Sequence, residues 1–218
     1  LTAGGLKGAD EFVNAYHEDP NTDFHTMVSE MAKIDRKKAK TINLGLFYGM
    51  GKGKLSSELG LTPGEAEDLF EKYHNRVPFV KEMIERTMKK AADVGHVRTL
   101  LGRKCRFDMW EPSRYGVHKP LPRDQAEREH GKQIRRAFTY KALNKIIQGS
   151  AADMTKQAMV DLHKEGITPH IQVHDELDCS FDSEAQKNRI MDIMTNAVKL
   201  EVPIKLDCEV GPSWGEAK

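Results

Sequence analysis

Asp35-Arg36-Lys37-Lys38-Ala39-Lys40-Thr41-Ile42-Asn43-Leu44-Gly45-Leu46-Phe47-Tyr48-Gly49 reads as a helix that carries cations on one side and ends in aromatic residues. At 100° per residue, Arg36, Lys40, Asn43, Leu44 and Phe47 fall in one broad stripe, with Tyr48 at its margin and Gly45 and Gly49 turned away. Arginine offers a planar fork to phosphate oxygens and lysine a mobile point charge, while an apolar and aromatic end suits a sugar and a base. A nucleoside triphosphate has that shape. An amphipathic helix with merely solvated Lys and Arg has the same spacing, so the reading depends on what accompanies it.

His174-Asp175-Glu176 stands between Ile171-Gln172-Val173 and Leu177-Asp178-Cys179-Ser180-Phe181. Both flanks alternate apolar and polar residues at the strand period, which places the triplet at the bend of a hairpin expected to bury its apolar side. Neither Lys nor Arg lies within three positions of the triplet to neutralise the two carboxylates. Such a pair suits a hard divalent cation, and Mg²⁺ prefers carboxylate oxygens plus substrate phosphates to a closed protein cage. Two acids that only solvate a turn are the alternative.

Together these segments resemble the polymerase-I-like DNA polymerases, family A. The family's fingers-helix motif, an Arg, a Lys four residues on, an aromatic position and Tyr-Gly, is matched by Arg36, Lys40, Tyr48 and Gly49. Its palm motif, His-Asp-Glu after an apolar strand, is matched by Gln172-Val173-His174-Asp175-Glu176, and a third, Asn-x-x-x-Gln-Gly-x-Ala-Ala-Asp, by Asn144, Gln148, Gly149, Ala151, Ala152 and Asp153. Further matches run from Asp23-Phe24-His25-Thr26 through Thr99-Leu100-Leu101-Gly102-Arg103 to the ending Glu209–Lys218, so the resemblance covers nearly the whole chain.

The resemblance implies an α+β chain, with a helix-rich fingers part packed on a small antiparallel palm sheet, as an incomplete right-hand polymerase. Residues 1–95 would be the fingers with the segment leading into them, and 96–218 the C-terminal part of the palm. It implies template-directed DNA synthesis by two-metal nucleotidyl transfer to a primer 3′-hydroxyl, with Mg²⁺ as cofactor and primer-template DNA and deoxynucleoside triphosphates as partners. Asp175 would be the metal carboxylate and Glu176 a weaker or outer ligand. Arg36, Lys40 and His25 would hold the triphosphate, and Lys40 would also protonate departing pyrophosphate. Tyr48 would stack near the templating base, Asn144 and Gln148 would donate to the minor groove, and His174 would contact the primer strand. The palm motif Asp-Tyr-Ser-Gln-x-Glu, which supplies the family's first metal-binding Asp, does not occur in this sequence. The chain is therefore expected to be part of a split or truncated enzyme, inactive without an upstream polypeptide carrying the thumb and that motif. A catalytically inactive DNA- or dNTP-binding piece and a single-subunit RNA polymerase relative are the alternatives.

Two positions depart from the family pattern. Leu44 stands where a Phe or Tyr usually packs on the incoming sugar, and Tyr140, followed by Lys141, stands where an Arg commonly precedes the Asn.

Composition is consistent with this. A formal net charge of +1 excludes a generally basic DNA-coating protein, so contacts to DNA must come from local patches such as Lys33–Lys40, Arg103–Arg106 and Arg135–Lys145. No apolar run has the length of a membrane span, and no signal peptide is evident, which predicts a cytosolic protein; the resemblance implies a bacterium or phage-infected cell as its setting. Cys105, Cys179 and Cys208 are odd in number and dispersed, suggesting neither a disulfide framework nor a zinc site.

Along the chain, Thr62-Pro63-Gly64-Glu65 is a helix start with a capping box, followed by Ala66, Leu69, Phe70 and Tyr73 on a buried side. Pro78 opens a further helix whose apolar residues, Val80 to Ala91, recur at three and four, and Gly95 closes it. His96–Leu100 reads as a strand. Residues 111–131, with Pro112, Pro120 and Pro122 among charges, read as an exposed loop running into a helix. Ile147, Ala151, Met154, Ala158 and Leu162 mark a long helix ended by Gly166 and Pro169, and strands near Pro169–Val173, Leu177–Phe181 and Lys205–Val210 are expected to form one small sheet.

Overall fold

The computed structural model describes residues 5–114 and 116–217; the side chains of Met31, Ala32 and Phe47 lie outside the described residues. The chain is α+β and groups into two compact units. The first holds residues 5–10 and Asp23–Ile147, and the second Glu11–Thr22 and 148–217. No described helix is long and apolar enough to cross a membrane.

Helices build most of the first unit. Beyond α1 (Ala9–Glu18), most of which belongs to the second unit, α2 (Phe24–Ala32) starts at Asp23, whose carboxylate accepts the His25 N–H, and ends at Lys33 with φ 53°. Asp35 caps α3 (Arg36–Phe47) by accepting the Lys38 N–H. Then follow α4 (Lys52–Leu59), α5 (Pro63–Arg76) and α6 (Pro78–Val94). The capping box at Thr62 and Glu65 forms as the sequence predicts, satisfying donors that the first helical turn cannot pair. Gly95 closes α6 at φ 75°. Strand β1 (His96–Arg98) pairs antiparallel with β2 (Lys104–Arg106), and Val97 joins Ala91, Phe107, Ala142 and Ile146 in a buried cluster.

Residues 111–131 differ from the exposed loop expected. Strand β3 (Met109–Pro112) is the centre of a three-stranded antiparallel sheet between β4 (Leu121–Pro122) and β5 (Ile134–Arg136), and α7 (Arg123–His130) follows β4 directly. Strands of two to four residues are too short to show a period. Trp110 organises the sheet, with the Arg123 guanidinium 5.1 Å and that of Arg136 4.5 Å from its ring centroid.

In the second unit, α8 (Ala142–Lys164, begun in the first unit) ends before Gly166, and Leu162 packs with Ile167 and with Ile190 and Ile193 of α9 (Glu184–Asn196). Strand β6 (Ile171–Val173) and β7 (Glu176–Asp178) form the expected hairpin. Its apolar side is not buried as expected: Ile171 and Val173 are each 41% exposed. The register explains why. Ile171 pairs with Asp178 and Val173 with Glu176, so these apolar residues share a face with acids, while Leu177 packs toward the core from the other face. Lys205–Val210 does not form the expected third strand. Leu206 and Cys208 instead line a cavity of about 480 Å³ together with Leu177 and Phe181, so the segment faces the hairpin across space rather than laddering onto it.

Candidate nucleotide-binding site

The start of α3 meets the start of α2 through Asp23. Its carboxylate accepts from the Thr26 hydroxyl at 2.7 Å, from Arg36 Nε at 2.7 Å and from the His25 N–H at 3.0 Å. The Thr26 and Arg36 bonds, with the backbone N–H, hold the Asp23 carboxyl well below the usual carboxylate range. One residue thus caps a helix and fixes a guanidinium. Arg36 spends only Nε on protein, on Asp23 and on Thr26 Oγ1 at 3.2 Å, and among the described residues its terminal nitrogens make no hydrogen bond. A planar fork with its paired ends unspent suits a phosphate.

His25, half-buried, faces the same stripe. Its Nδ1 lies 2.9 Å from Asn43 Nδ2, and Asn43 Oδ1 lies 2.7 Å from the Tyr73 hydroxyl of α5. Burial lowers the His25 pKa; the cations Arg36 and Lys40 push the same way, and Asp23 opposes them. Asn43 departs from the helical-wheel reading, because it is fully buried at the border of the cationic stripe rather than displayed on it. The ring of Tyr73 explains this, since a buried phenol needs a polar partner and Asn43 is within its reach.

The rest of the stripe is open. Lys40 is exposed, Leu44 is 42% exposed, and Tyr48, which ends α3, is 55% exposed. Leu44 is therefore not a packed core residue. The predicted contribution of the Phe47 ring lies outside the described residues. Gly49 turns the chain at φ 74°, where a Cβ would stand 2.7 Å from the Tyr140 ring and 3.0 Å from the Tyr140 carbonyl oxygen. Glycine is required there twice over, by backbone conformation and by space.

In the second unit His174 and Asp175 form the two-residue loop between β6 and β7. His174 adopts φ 53°, and its carbonyl accepts from Gln172 Nε2 at 2.6 Å. Of the two loop residues only the first has positive φ, the φ pattern of a type II′ turn, where glycine is the unstrained choice. A histidine held there carries backbone strain that glycine would avoid. Asp175 and Glu176 are exposed and pair with no cation among the described residues. These oxygens fit part of an open magnesium site, yet no group of three His, Cys, Asp or Glu among the described residues could hold a metal by itself.

Asn144 and Gln148 lie one turn apart on α8, the first half-buried and the second exposed. Lys141 stands 4.8 Å over the Phe138 ring and 5.6 Å over the Tyr140 ring, in a short 3₁₀ turn preceding α8.

The family model for DNA polymerase family A matches residues 6–216. A DNA-directed DNA polymerase of Pseudomonas phage M6 is 34% identical over 93% of this chain and 32% of its own length. The thermostable DNA polymerase I of Thermus filiformis is 38% identical over 84% of this chain and 21% of its own. Among solved structures, the POL domain of Pol1 from M. smegmatis, in complex with DNA primer-template and dNTP, superposes with a TM-score of 0.67 at 26% identity, over 88% of this chain and 34% of that one. The chain spans about a third of the phage relative and a fifth of the Thermus one.

Proposed function

The chain belongs to DNA polymerase family A, and on that premise we propose that it forms the C-terminal fingers and palm portion of a polymerase joining deoxynucleotides to a primer 3′-hydroxyl. The α3 corner carries this reading: Arg36 is anchored through Nε with its terminal nitrogens unspent, beside exposed Lys40 and half-buried His25. Residues 1–95 take the fingers role and 96–218 the palm role, a division of task rather than of compactness.

Arg36, Lys40 and His25 hold the triphosphate, and Leu44 and Tyr48 meet the sugar and base. Lys40 gives a proton to the departing pyrophosphate. Asp175 holds the divalent ion, with Glu176 as the outer oxygen. A magnesium ion held by these oxygens would supply charge neutralisation on the phosphates and would favour loss of the primer hydroxyl proton. His174 contacts the primer strand, and Asn144 and Gln148 donate to acceptors in the minor groove, which correct base pairs present alike. Among the described residues the donor set is incomplete, and on this reading a further carboxylate would come from an upstream polypeptide with the thumb and the motif Asp-Tyr-Ser-Gln-x-Glu. The setting is the interior of a bacterial or phage-infected cell.

A second reading, a piece that binds DNA or dNTP without catalysis, is favoured by the same incomplete donor set. Primer extension with Mg²⁺ by the chain, with and without a polypeptide bearing that motif, separates the two. Synthesis only in the mixture supports the polymerase reading, and no synthesis in either leaves the binding piece.

A further inference from the structure

The hydrogen bonds behind His25 fix more than its position. Tyr73 is fully buried, and its hydroxyl has a single hydrogen-bonding neighbour among the described residues, Asn43 at 2.7 Å. The hydroxyl is closed off from bulk solvent, so its proton goes to Asn43, the one protein acceptor within reach among the described residues. This orients the amide, with Oδ1 toward Tyr73 and Nδ2 toward His25. The reversed amide would aim an N–H at the phenol oxygen and strand the phenol proton in the interior, at the full desolvation cost of an unmade hydrogen bond. With Nδ2 donating across 2.9 Å, His25 Nδ1 has to be the acceptor. The ring proton then resides on Nε2, which makes no hydrogen bond among the described residues.

We infer that Tyr73 and Asn43 are positioning residues that lock His25 in its Nε2–H form, so that the ring presents a fixed N–H donor to the triphosphate. This rests on the nucleotide reading of the α3 corner. Burial raises the Tyr73 pKa, which keeps the phenol protonated, and burial lowers that of His25, with Arg36 and Lys40 acting in the same sense against Asp23. The ring is thus a neutral donor with one tautomer, where a free imidazole would divide between two. Order is gained without spending charge beside two cations.

The test is made on the full chain. Nitrogen-15 spectra of the histidine rings should show His25 with a pyridine-type Nδ1 and a pyrrole-type Nε2 at neutral pH. Tyr73→Phe keeps the ring but frees the amide to turn, so it should admit the Nδ1–H form and weaken binding of inorganic tripolyphosphate roughly three- to tenfold, the scale of one hydrogen bond. Its melting curve monitors folding. An Nδ1–H tautomer in the parent overturns the relay, as do unchanged tautomer and affinity in a folded Tyr73→Phe chain. Unchanged tripolyphosphate affinity in His25→Ala instead sinks the nucleotide reading of the corner, which the spectra alone do not address.

Discussion

Arg36 Nε lies 2.7 Å from Asp23 Oδ2, joining the first turn of the cationic helix to the cap of the helix before it. Because the same carboxylate caps α2, the local fold and the presentation of the guanidinium depend on one charge. The Asp23 pKa is depressed on folding, so its contribution is full above the ordinary value of 3.8 and drains away as pH falls below it. Asp23→Ala should cost about 1 kcal/mol at pH 7 through the lost cap. The gap between variant and parent should narrow toward pH 3 in urea melts. A gap independent of pH would mean that the ionised carboxylate contributes nothing.

Gly49 offers a test of the turn after α3. Gly49→Ala places a methyl at φ 74° against the Tyr140 ring and carbonyl, and should destabilise the chain by roughly 1–3 kcal/mol. Gly49→Ala combined with Tyr140→Ala removes only the ring clash, so chemical denaturation should show partial recovery. Full recovery would deny the backbone part of the argument.

Leu44 should set rate and sugar choice. With 42% of its surface exposed, an aromatic replacement meets solvent rather than an overfilled core. In the complemented enzyme, Leu44→Tyr and Leu44→Phe are expected to change incorporation rate and the preference between deoxy- and dideoxynucleotides, Tyr accepting dideoxynucleotides best, at unchanged melting temperature. A lowered melting temperature with the same selectivity would make Leu44 a packing residue.

Local signals were legible in the sequence where one short segment decides them. The capping box at Thr62, the closing Gly95, the end of α8 before Gly166 and a hairpin bend within His174-Asp175-Glu176 all follow from residues close in the chain, although Glu176 itself belongs to the second strand. What escaped depends on partners. The sheet around Trp110 draws its stability from Arg123 and Arg136, which no periodicity in two- to four-residue strands announces. Asn43 sat on the helical wheel with Lys40, and only Tyr73, thirty positions on, draws it inward. A phenol in an otherwise apolar helix face was the available sign that a buried polar partner had to exist. The exposed Ile171 and Val173 were foreseeable too: pairing across a two-residue turn sets them opposite Asp178 and Glu176.

The central claim, that this chain supplies the metal-binding carboxylate of a nucleotidyl transfer site, is tested most directly by single-turnover nucleotide incorporation with Asp175→Asn in the complemented enzyme, at saturating primer-template. Asp175 is exposed at a hairpin bend, so the substitution leaves the fold intact and removes only charge. The account predicts incorporation reduced by at least about a thousandfold, roughly 4 kcal/mol of transition-state stabilisation, with primer-template affinity nearly unchanged. Equal rates for Asp175→Asn and the parent would contradict it.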